Sequence, residues 1–434
     1  MRCSTAAHSP SISPNWYFTA PQVAPHSLAI LLADTAAGSP EASTRRAASS
    51  MLSRVARPRR FARRPVATTS LIRTMLARAE FFIEVSVKVG RNGLLSPLEE
   101  VPMPKPPLSM RPTGWFQVAW SAQITVGAVH RMTYFGREMV AWRVQSGELA
   151  VLDAYCEHLG AHLGHGGHVE GDRIVCPFHG WEWNRDGRNV CIPYERRPNP
   201  LRRIRSYPVV ERNEAVYIWH DTAGRPPYFD VPDVFTGFGD GGSARDYYPG
   251  YPHSTLYRER LQLHPQYVLE NGVDFAHFKY VHKTPFIPRF TRQEFGTPIS
   301  YVDFTIAFDE VPGMSAEDMR SGVQAINGGL GVAVTKSWGM VDNRTVSAVT
   351  PVDDETCDVR FTVFIGRQPG DDSAEPPQTA KTFAQAIIDQ FLADIHIWSH
   401  QRYSDPPALV RAEYEGFIAL RKWATQFYPE ESRA

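Results

Sequence analysis

The stretch "CEHLGAHLGHGGHVEGDRIVCPFHGWEW", residues 156–183, places two cysteines and five histidines within 28 positions. Four of these residues form two short pairs, Cys156 with His158 and Cys176 with His179, and 17 residues separate the pairs. Two such pairs on neighbouring hairpin loops can close around a metal centre that lies between them. The spacing therefore predicts a metal site built from two loops.

The distribution of the four ligands between the loops helps to identify the metal. Zinc is the simplest candidate for two cysteines and two histidines, but zinc sites usually take both cysteines from one loop and both histidines from the other. Here each loop supplies one of each, which suits a [2Fe–2S] cluster in which one iron takes both thiolates and the other both imidazoles. We favour the cluster, and zinc is the alternative. The other histidines of the stretch have no thiol partner at ligand spacing and are predicted to line a solvated loop: His162, His165 and His168.

Short β-strands surround the ligand loops in the predicted fold. "MVAWRV", a turn and "LAVLDAYC" read as a hairpin that leads into Cys156, and further short strands continue to about Asp221. Three regions follow from this pattern: an acid-poor, Arg- and Ser-rich leader over 1–95, an all-β domain over 96–225 and a second domain over 226–434. The leader is interpreted as a disordered extension or a mis-assigned start, with an organelle transit peptide as the alternative.

Composition limits the classes of partner. The formal net charge is zero and 43% of the residues are apolar, so nothing predicts bulk attraction to nucleic acid or to an anionic membrane. No apolar run reaches the length of a membrane span. Five cysteines are too few and too scattered for a disulfide framework, which predicts a cytoplasmic protein.

A second cluster of ligand types occurs in "YVLENGVDFAHFKYVHKTP", residues 267–285. Glu270, Asp274 and His277 fall on one face of a helix predicted over about 265–281. His282 would lie about 140° away from that face in a straight helix, so the helix is expected to end or bend before it. The two histidines can then converge on one metal from a helix and its exit.

A third ligand is predicted on a C-terminal helix, expected over about 380–402. Asp394 falls inside an apolar stripe, and a carboxylate there is costly unless it is paired or coordinates a metal. Two histidines and one carboxylate form the facial triad of non-haem Fe(II) oxygenases. The alternative is a salt bridge from Asp394 to Arg402. The stripe consists of Ile387, Phe391 and Trp398, and the face predicted to be wetter carries Asp389, His396 and His400.

Both motifs resemble those of Rieske non-haem iron oxygenase α subunits: "CPFHGWEW" the second cluster box, and "ENGVDFAHFKYVH" the mononuclear-iron motif. The resemblance covers about residues 112–430. Within the family, "IPYERRPNPLRRIRSYPVVE" and the C-terminal "DIHIWSHQRYSDPP" are similar to the oxygenase component of 3-ketosteroid 9α-hydroxylase. "DAYCEHLGAHLG" is closer to the cholesterol 7-desaturase branch.

The resemblance implies an α+β architecture, with an all-β Rieske domain and a catalytic domain of antiparallel sheet covered by helices, of the helix-grip type. It assigns the cluster to Cys156, His158, Cys176 and His179, and a mononuclear Fe(II) to His277, His282 and Asp394. Asp274 matches the acid that links an iron-ligand histidine to a cluster histidine of a neighbouring subunit in a head-to-tail homotrimer. Asn271 matches a position often near the iron.

The implied activity is that of the oxygenase component of a multicomponent system. An NAD(P)H-dependent flavin or iron–sulfur reductase, directly or through a ferredoxin, supplies electrons, and O2 is used to hydroxylate a hydrophobic ring substrate, with a steroid favoured. The alternatives are oxygenation or O-demethylation of a smaller aromatic compound, sterol desaturation and, in a different class, a Rieske electron-transfer protein without oxygenase activity. An arginine-rich loop after the cluster motif is either a solvated basic surface or a docking site for an acidic electron donor; its arginines are Arg196, Arg197, Arg202, Arg203 and Arg205. Strand alternation predicts a shared pocket face for Phe304, Ile306, Val334, Phe361 and Val363.

Overall fold

The computed structural model describes residues 107–284, 287–307, 320–339 and 341–430. The predicted leader over 1–95 lies outside the described residues, as do residues 96–106 of the predicted all-β domain. Within the described ranges, no helix is both long and apolar enough to cross a membrane.

Within the described part of the N-terminal region there are ten strands, and the pairings between them are antiparallel. They make three small sheets, with orders β2-β3-β4, β5-β6-β7-β8 and β1-β10-β9. The all-β prediction for this region is confirmed over its described part. The strands are β1 Gly114–Trp120, β2 Val129–Tyr134, β3 Arg137–Arg143, β4 Leu149–Asp153, β5 His168–Glu170, β6 Arg173–Val175, β7 Glu182–Trp183, β8 Asn189–Cys191, β9 Val209–Arg212 and β10 Ala215–His220.

Among the residues described after this region, a seven-stranded antiparallel sheet and four α-helices follow, which confirms the α+β class. The strand order is β11-β17-β16-β15-β14-β13-β12, so most neighbours are consecutive hairpins and the first strand joins the sheet beside the last. The strands are β11 Thr255–Leu261, β12 Arg289–Glu294, β13 Ile299–Ala307, β14 Arg320–Gly328, β15 Val332–Trp338, β16 Asn343–Pro351 and β17 Cys357–Ile365. The helices are α1 Pro265–Glu270, α2 Ala276–Tyr280, α3 Gln378–Trp398 and α4 Arg411–Ala424.

The two faces of this sheet bury different partners. One face packs against the helices, as where Val363 joins a cluster with residues of α3. The opposite face packs against the N-terminal region: Val334 shares a cluster with Trp115 and Trp219. The predicted common pocket face is therefore wrong for Val334, because the register of β14 to β16 turns it away from the helices. Phe304, Phe361 and Val363 do share the helix-covered face, while the side chain of Ile306 lies outside the described part.

The single helix predicted over 265–281 is wrong, because α1 ends at Glu270 and α2 begins at Ala276. Tight turns replace the helix between them, with the amide of Gly272 donating to the Leu269 carbonyl (3.0 Å). Glycine is a poor helix former, so the interruption falls where the sequence is locally weakest. The prediction that the chain leaves the helix before His282 is confirmed, since α2 ends at Tyr280.

Candidate functional site

The two ligand loops of the N-terminal region have the same local structure. Cys156 lies between β4 and β5, and Cys176 lies between β6 and β7. In each loop a glycine four residues later donates its amide to the cysteine carbonyl, at 2.9 Å for Gly160 and 3.0 Å for Gly180. Both glycines have left-handed backbone angles, φ 75° and 68°, that other residues rarely adopt. Each turn brings the histidine of its loop back beside its cysteine.

The thiols of Cys156 and Cys176 are buried and in contact. The hydrogen bond from the Cys156 thiol lowers the pKa of Cys176 to about 6, and the backbone amides of Phe178 and His179 act in the same direction. The pKa of Cys156 is raised, first by this shared hydrogen bond and then by burial. Backbone amides that stabilise a thiolate are a suitable environment for a metal-bound cysteine.

The imidazoles of the two loops lie together, with ring centroids 4.8 Å apart for His158 and His179. His158 stacks on the indole of Trp181, with 4.4 Å between the centroids and 5° between the planes. The Nδ1 atom of His179 is buried and has no hydrogen-bond partner among the described residues. An unpartnered buried nitrogen beside two thiols is what a metal cluster would complete, so these four residues fit the [2Fe–2S] group.

The second predicted site brings together residues that are far apart in the chain. One ligand atom each from His277, His282 and Asp394 lie within 4.8 Å of one another, and His282 Nε2 lies 3.3 Å from Asp394 Oδ2. All three side chains are at most 12% exposed. Two histidines and one carboxylate brought together in this way are the ligand set of a facial-triad metal site.

The protonation state of this site also fits a metal. Burial lowers the pKa of His277, which favours the neutral imidazole that binds metals. Its Nδ1 contacts the backbone carbonyl of Asp274, so that the second ring nitrogen is free for a metal. Nε2 of His277 and Nδ1 of His282 are buried and unpartnered within the described ranges.

Asn271 and Asp274 both support these ligands. The Asn271 amide donates to Oδ2 of Asp394 at 3.3 Å, so it contacts a ligand rather than only lying near the site. Oδ1 of Asp274 accepts the backbone amides of Ala276 (3.0 Å) and His277 (3.2 Å), and it thereby caps α2. The Asp274 side chain remains 36% exposed, which leaves it accessible from outside the chain.

The alternative reading of Asp394 is not supported. Its side chain pairs with His282 and Asn271, and Arg402 is exposed. The opposite face of α3 is wetter, as predicted: Asp389, His396 and His400 are exposed. Of the three extra histidines in the first loops, His165 and His168 are exposed, while His162 is partly buried and faces Glu138 at 3.9 Å.

Some residues that pack around these sites without being metal ligands were not predicted from the sequence. Glu270 does not face the iron ligands, because its carboxylate accepts two hydrogen bonds from Arg421, at 2.8 and 3.1 Å. Trp181 and Trp183 pack against the cluster ligands. The spacing of the two tryptophans in "WEW" could have indicated that both lie on one side of the strand. No local sequence feature indicated that Glu270 pairs with a residue of α4.

Phenylalanines form a wall beside the second site. The Phe278 ring lies 5.5 Å from the His282 ring and 4.7 Å from that of Phe304, and Phe290 lies 5.9 Å from Phe304. A metal at His282 would therefore face apolar surface, which suits a hydrophobic substrate.

Two family models match the chain. Residues 114–208 match the Rieske [2Fe-2S] domain, and residues 218–428 match the 3-ketosteroid 9alpha-hydroxylase C-terminal domain. Together they span both candidate metal sites.

Several relatives are similar to this chain over part or most of their length. A Rhodococcus rhodochrous 3-ketosteroid-9-alpha-monooxygenase oxygenase component is 30% identical over 328 residues, which are 73% of this chain and 80% of that protein. A Mycobacterium tuberculosis protein of the same name is 26% identical over 328 residues, covering 73% and 81%. Cholesterol 7-desaturase nvd 1 from Ciona intestinalis is 34% identical over 171 residues, covering 39% and 34%.

Solved structures share the fold at lower identity. Dicamba monooxygenase bound to dicamba has a TM-score of 0.53 at 18% identity, covering 75% of this chain and 99% of that one. Pseudomonas putida CBB5 NdmA with caffeine has a TM-score of 0.51 at 18% identity, covering 72% and 89%.

Proposed function

The chain belongs to the Rieske non-haem iron oxygenase family, in the group of the 3-ketosteroid 9α-monooxygenase oxygenase components, and from this premise we propose that it hydroxylates a ketosteroid. It is a monooxygenase component with a Rieske cluster and a mononuclear iron, and it works with O2 and a reductase. The observation that carries the proposal is the buried His277, His282 and Asp394 set beside an aromatic wall.

Each group of residues has a distinct role in this proposal. Cys156, His158, Cys176 and His179 would hold the cluster, and a mononuclear iron would be held by His277, His282 and Asp394. When bound, the two groups supply electron transfer and oxygen activation. The chain itself excludes water with the phenylalanine wall and fixes the ring orientation of His277 through the Asp274 carbonyl. Asn271 restrains the Asp394 carboxylate.

A hydroxyl pair on the sheet supports recognition of a ketone. Oγ1 of Thr335 on β15 lies 2.6 Å from Oγ1 of Thr345 on β16. The register places both residues on the sheet face that carries Phe304, in the adjacent row. One hydroxyl donates its hydrogen to the other. The hydrogen of the accepting hydroxyl is not used within this pair, so it can be donated to a substrate ketone. The distance across the sheet from β13 to β15 is two strand spacings, about 10 Å, which is roughly the length of a fused ring system.

Replacing Thr335 with valine should raise KM for a 3-ketosteroid by about three- to tenfold, the value of one neutral hydrogen bond, with little change in kcat. The change in KM is measured by steady-state oxygen uptake with two substrates, a 3-ketosteroid and an analogue that has the same ring system but no ketone. The analogue without the ketone should show no difference between the variant and the wild type. Thr305→Val, on the opposite face of β13, is the matched control. An equal loss for both substrates would contradict ketone recognition by this pair.

Assembly as a head-to-tail homotrimer is part of the proposal. The imidazoles of His158 and His179 are only partly buried, and the loop tips beside them carry exposed apolar side chains, with Leu159 65% and Phe178 60% exposed. Exposed apolar surface of this kind is typical of protein interfaces. The accessible Asp274 would then face a cluster histidine of the neighbouring subunit.

Docking of the reductase or ferredoxin is proposed on the arginine-rich loop. All five of its arginines are exposed, and one of them, Arg202, has an acidic neighbour, Glu157, at 3.6 Å. Such a basic surface attracts an acidic donor at low ionic strength. The loop follows the second cluster loop in the chain, which keeps the donor near the cluster.

A single-turnover experiment tests the function. Pre-reduced, iron-loaded protein is exposed to O2 with separate 3-ketosteroids, sterols and methoxylated aromatic compounds, and the products are identified by mass spectrometry. We expect a ketosteroid to gain one oxygen atom. Loss of two hydrogens from a sterol would indicate desaturation instead, and reaction of the aromatic compounds alone would overturn the steroid proposal.

A further inference from the structure

Two positive side chains lie directly opposite each other on neighbouring strands, Lys336 on β15 and Arg344 on β16. The register puts them on the sheet face that carries Val334 and packs against the N-terminal region. The Arg344 side chain is only 1% exposed and that of Lys336 is 20% exposed. Like charges directly opposite across antiparallel strands destabilise the pairing, and burial screens their repulsion less than water does. The two strands therefore need a negative charge at this position.

Asp240 supplies this negative charge from the segment between β10 and β11. Its Oδ2 atom accepts hydrogen bonds from Nζ of Lys336 and from Nη2 of Arg344, each at 2.5 Å. Its Oδ1 atom accepts the backbone amide of Gly242 at 3.1 Å, which orients the carboxylate. Among the described residues, Asp240 is the one acid that forms an ion pair with either side chain. A single carboxylate thus balances both opposed charges.

The threonine pair in the pocket is the next cross-strand pair along the same two strands. The register pairs Thr335 with Thr345 immediately beside Lys336 and Arg344, and strand alternation puts the threonines on the opposite face of the sheet. Their hydroxyl oxygens are 2.6 Å apart. An O–H···O bond is lost when its atoms separate by about 1 Å, so this contact depends on the spacing of β15 and β16. The charge balance behind the sheet therefore bears on the hydroxyl pair in front of it.

We propose that Asp240, by neutralising Lys336 and Arg344, holds β15 and β16 at the spacing at which the threonine pair recognises the substrate ketone. This inference rests on the ketone recognition proposed above. Asp240 acts through other residues, so it is a positioning residue for substrate specificity. The segment that carries it approaches the sheet closely, because a Cβ atom at Gly242 would lie 3.0 Å from Nη2 of Arg344.

Asp240→Asn tests the proposal because it keeps the size of the side chain and removes its charge. Steady-state oxygen uptake by the iron-loaded holoenzyme is measured with a 3-ketosteroid and with the analogue that lacks the ketone, and rates are normalised to bound iron. We expect KM for the ketosteroid to rise about three- to tenfold, the value of one neutral hydrogen bond, with little change in kcat or in KM for the analogue. An unchanged KM for the ketosteroid, or an equal rise for both substrates, would overturn the proposal.

Two further variants show whether Asp240 acts through the threonine pair. In a Thr335→Val background, Asp240→Asn should add no further rise in KM for the ketosteroid, because the hydroxyl contact is already absent. A second rise of the same size would contradict the proposed route. Asp246→Asn is the matched control, since Asp246 lies in the same segment but its carboxylate accepts the amide (2.7 Å) and hydroxyl (2.9 Å) of Ser243. It should leave KM for both substrates unchanged.

A charge-relocated variant covers the case in which Asp240→Asn does not fold, since that change leaves the buried Arg344 without its counter-ion. Asp240→Asn/Lys336→Glu moves the carboxylate onto β15, directly opposite Arg344, and removes the repulsion between the strands. We expect this variant to keep the wild-type KM for the ketosteroid, and a rise specific to the ketosteroid would overturn the proposal. A wild-type enzyme that oxygenates no ketosteroid would instead refute the proposed function, so the two failures are distinguishable.

Discussion

Replacing His277 with alanine should abolish oxygenation and leave the red-brown cluster intact. His277 supplies one of three converging ligand atoms at the second site, and its removal leaves His282 and Asp394 alone. Loss of a direct ligand should lower iron affinity by more than about 100-fold, the upper range for residues that only support a ligand. The cluster ligands lie in two loops of the N-terminal region and are untouched.

Three measurements check this result. Iron analysis should show loss of the mononuclear iron alone, the visible spectrum should be unchanged, and electron transfer from the reductase to the cluster should continue. His396→Ala is the matched control, because His396 lies on α3 beside Asp394 but is exposed. Full oxygenation activity of the His277 variant would contradict the assignment of the mononuclear iron to His277, His282 and Asp394.

Arg421→Ala should lower the free energy of unfolding by about 3–5 kcal/mol, the usual cost of leaving one member of a buried ion pair alone. The Glu270 carboxylate is 6% exposed and accepts two hydrogen bonds from Arg421 and one from Gln266 at 2.8 Å. The Arg421 guanidinium also lies 4.5 Å from the Tyr403 ring centroid. Removing the arginine would leave a buried charge without its counter-ion at the end of α1.

Urea denaturation followed by tryptophan fluorescence measures the loss. Arg111→Ala is the control, since Arg111 binds Asp354 through two similar hydrogen bonds but both side chains are more than half exposed. That variant should lose no more than about 1 kcal/mol. The double variant Glu270→Gln/Arg421→Ala should lose less than Arg421→Ala, because it buries no charge. A larger loss would contradict the explanation by desolvation.

The same ion pair connects stability with the iron site. Glu270 is followed directly by Asn271, whose amide holds the Asp394 carboxylate. Loosening the Glu270–Arg421 pair should therefore displace Asn271 as well, and the iron of the Arg421 variant should dissociate faster on chelation. This coupling was not visible in the sequence, because the two partners are 151 positions apart in the chain.

Sequence alone predicted the features that depend on local spacing. Cys156, His158, Cys176 and His179 were identifiable as a set because each pair lies within one short turn that its glycine closes. The convergence of His277 with His282 likewise needed only a helix that ends between them. In both cases the chain folds back within a few residues, so spacing is nearly equivalent to geometry.

Only the tertiary structure decided the features that depend on register and packing between distant segments. Asp394 meets His282 because α3 packs across the seven-stranded sheet, which residue periodicity could suggest but not place. A shift of one residue in a strand exchanges its two faces, which is why Val334 turned away from the pocket face predicted for it. The Glu270–Arg421 pair depends in the same way on which distant groups share a buried space. Burial and hydrogen bonding are properties of the folded chain, and the sequence fixes them only through the whole fold.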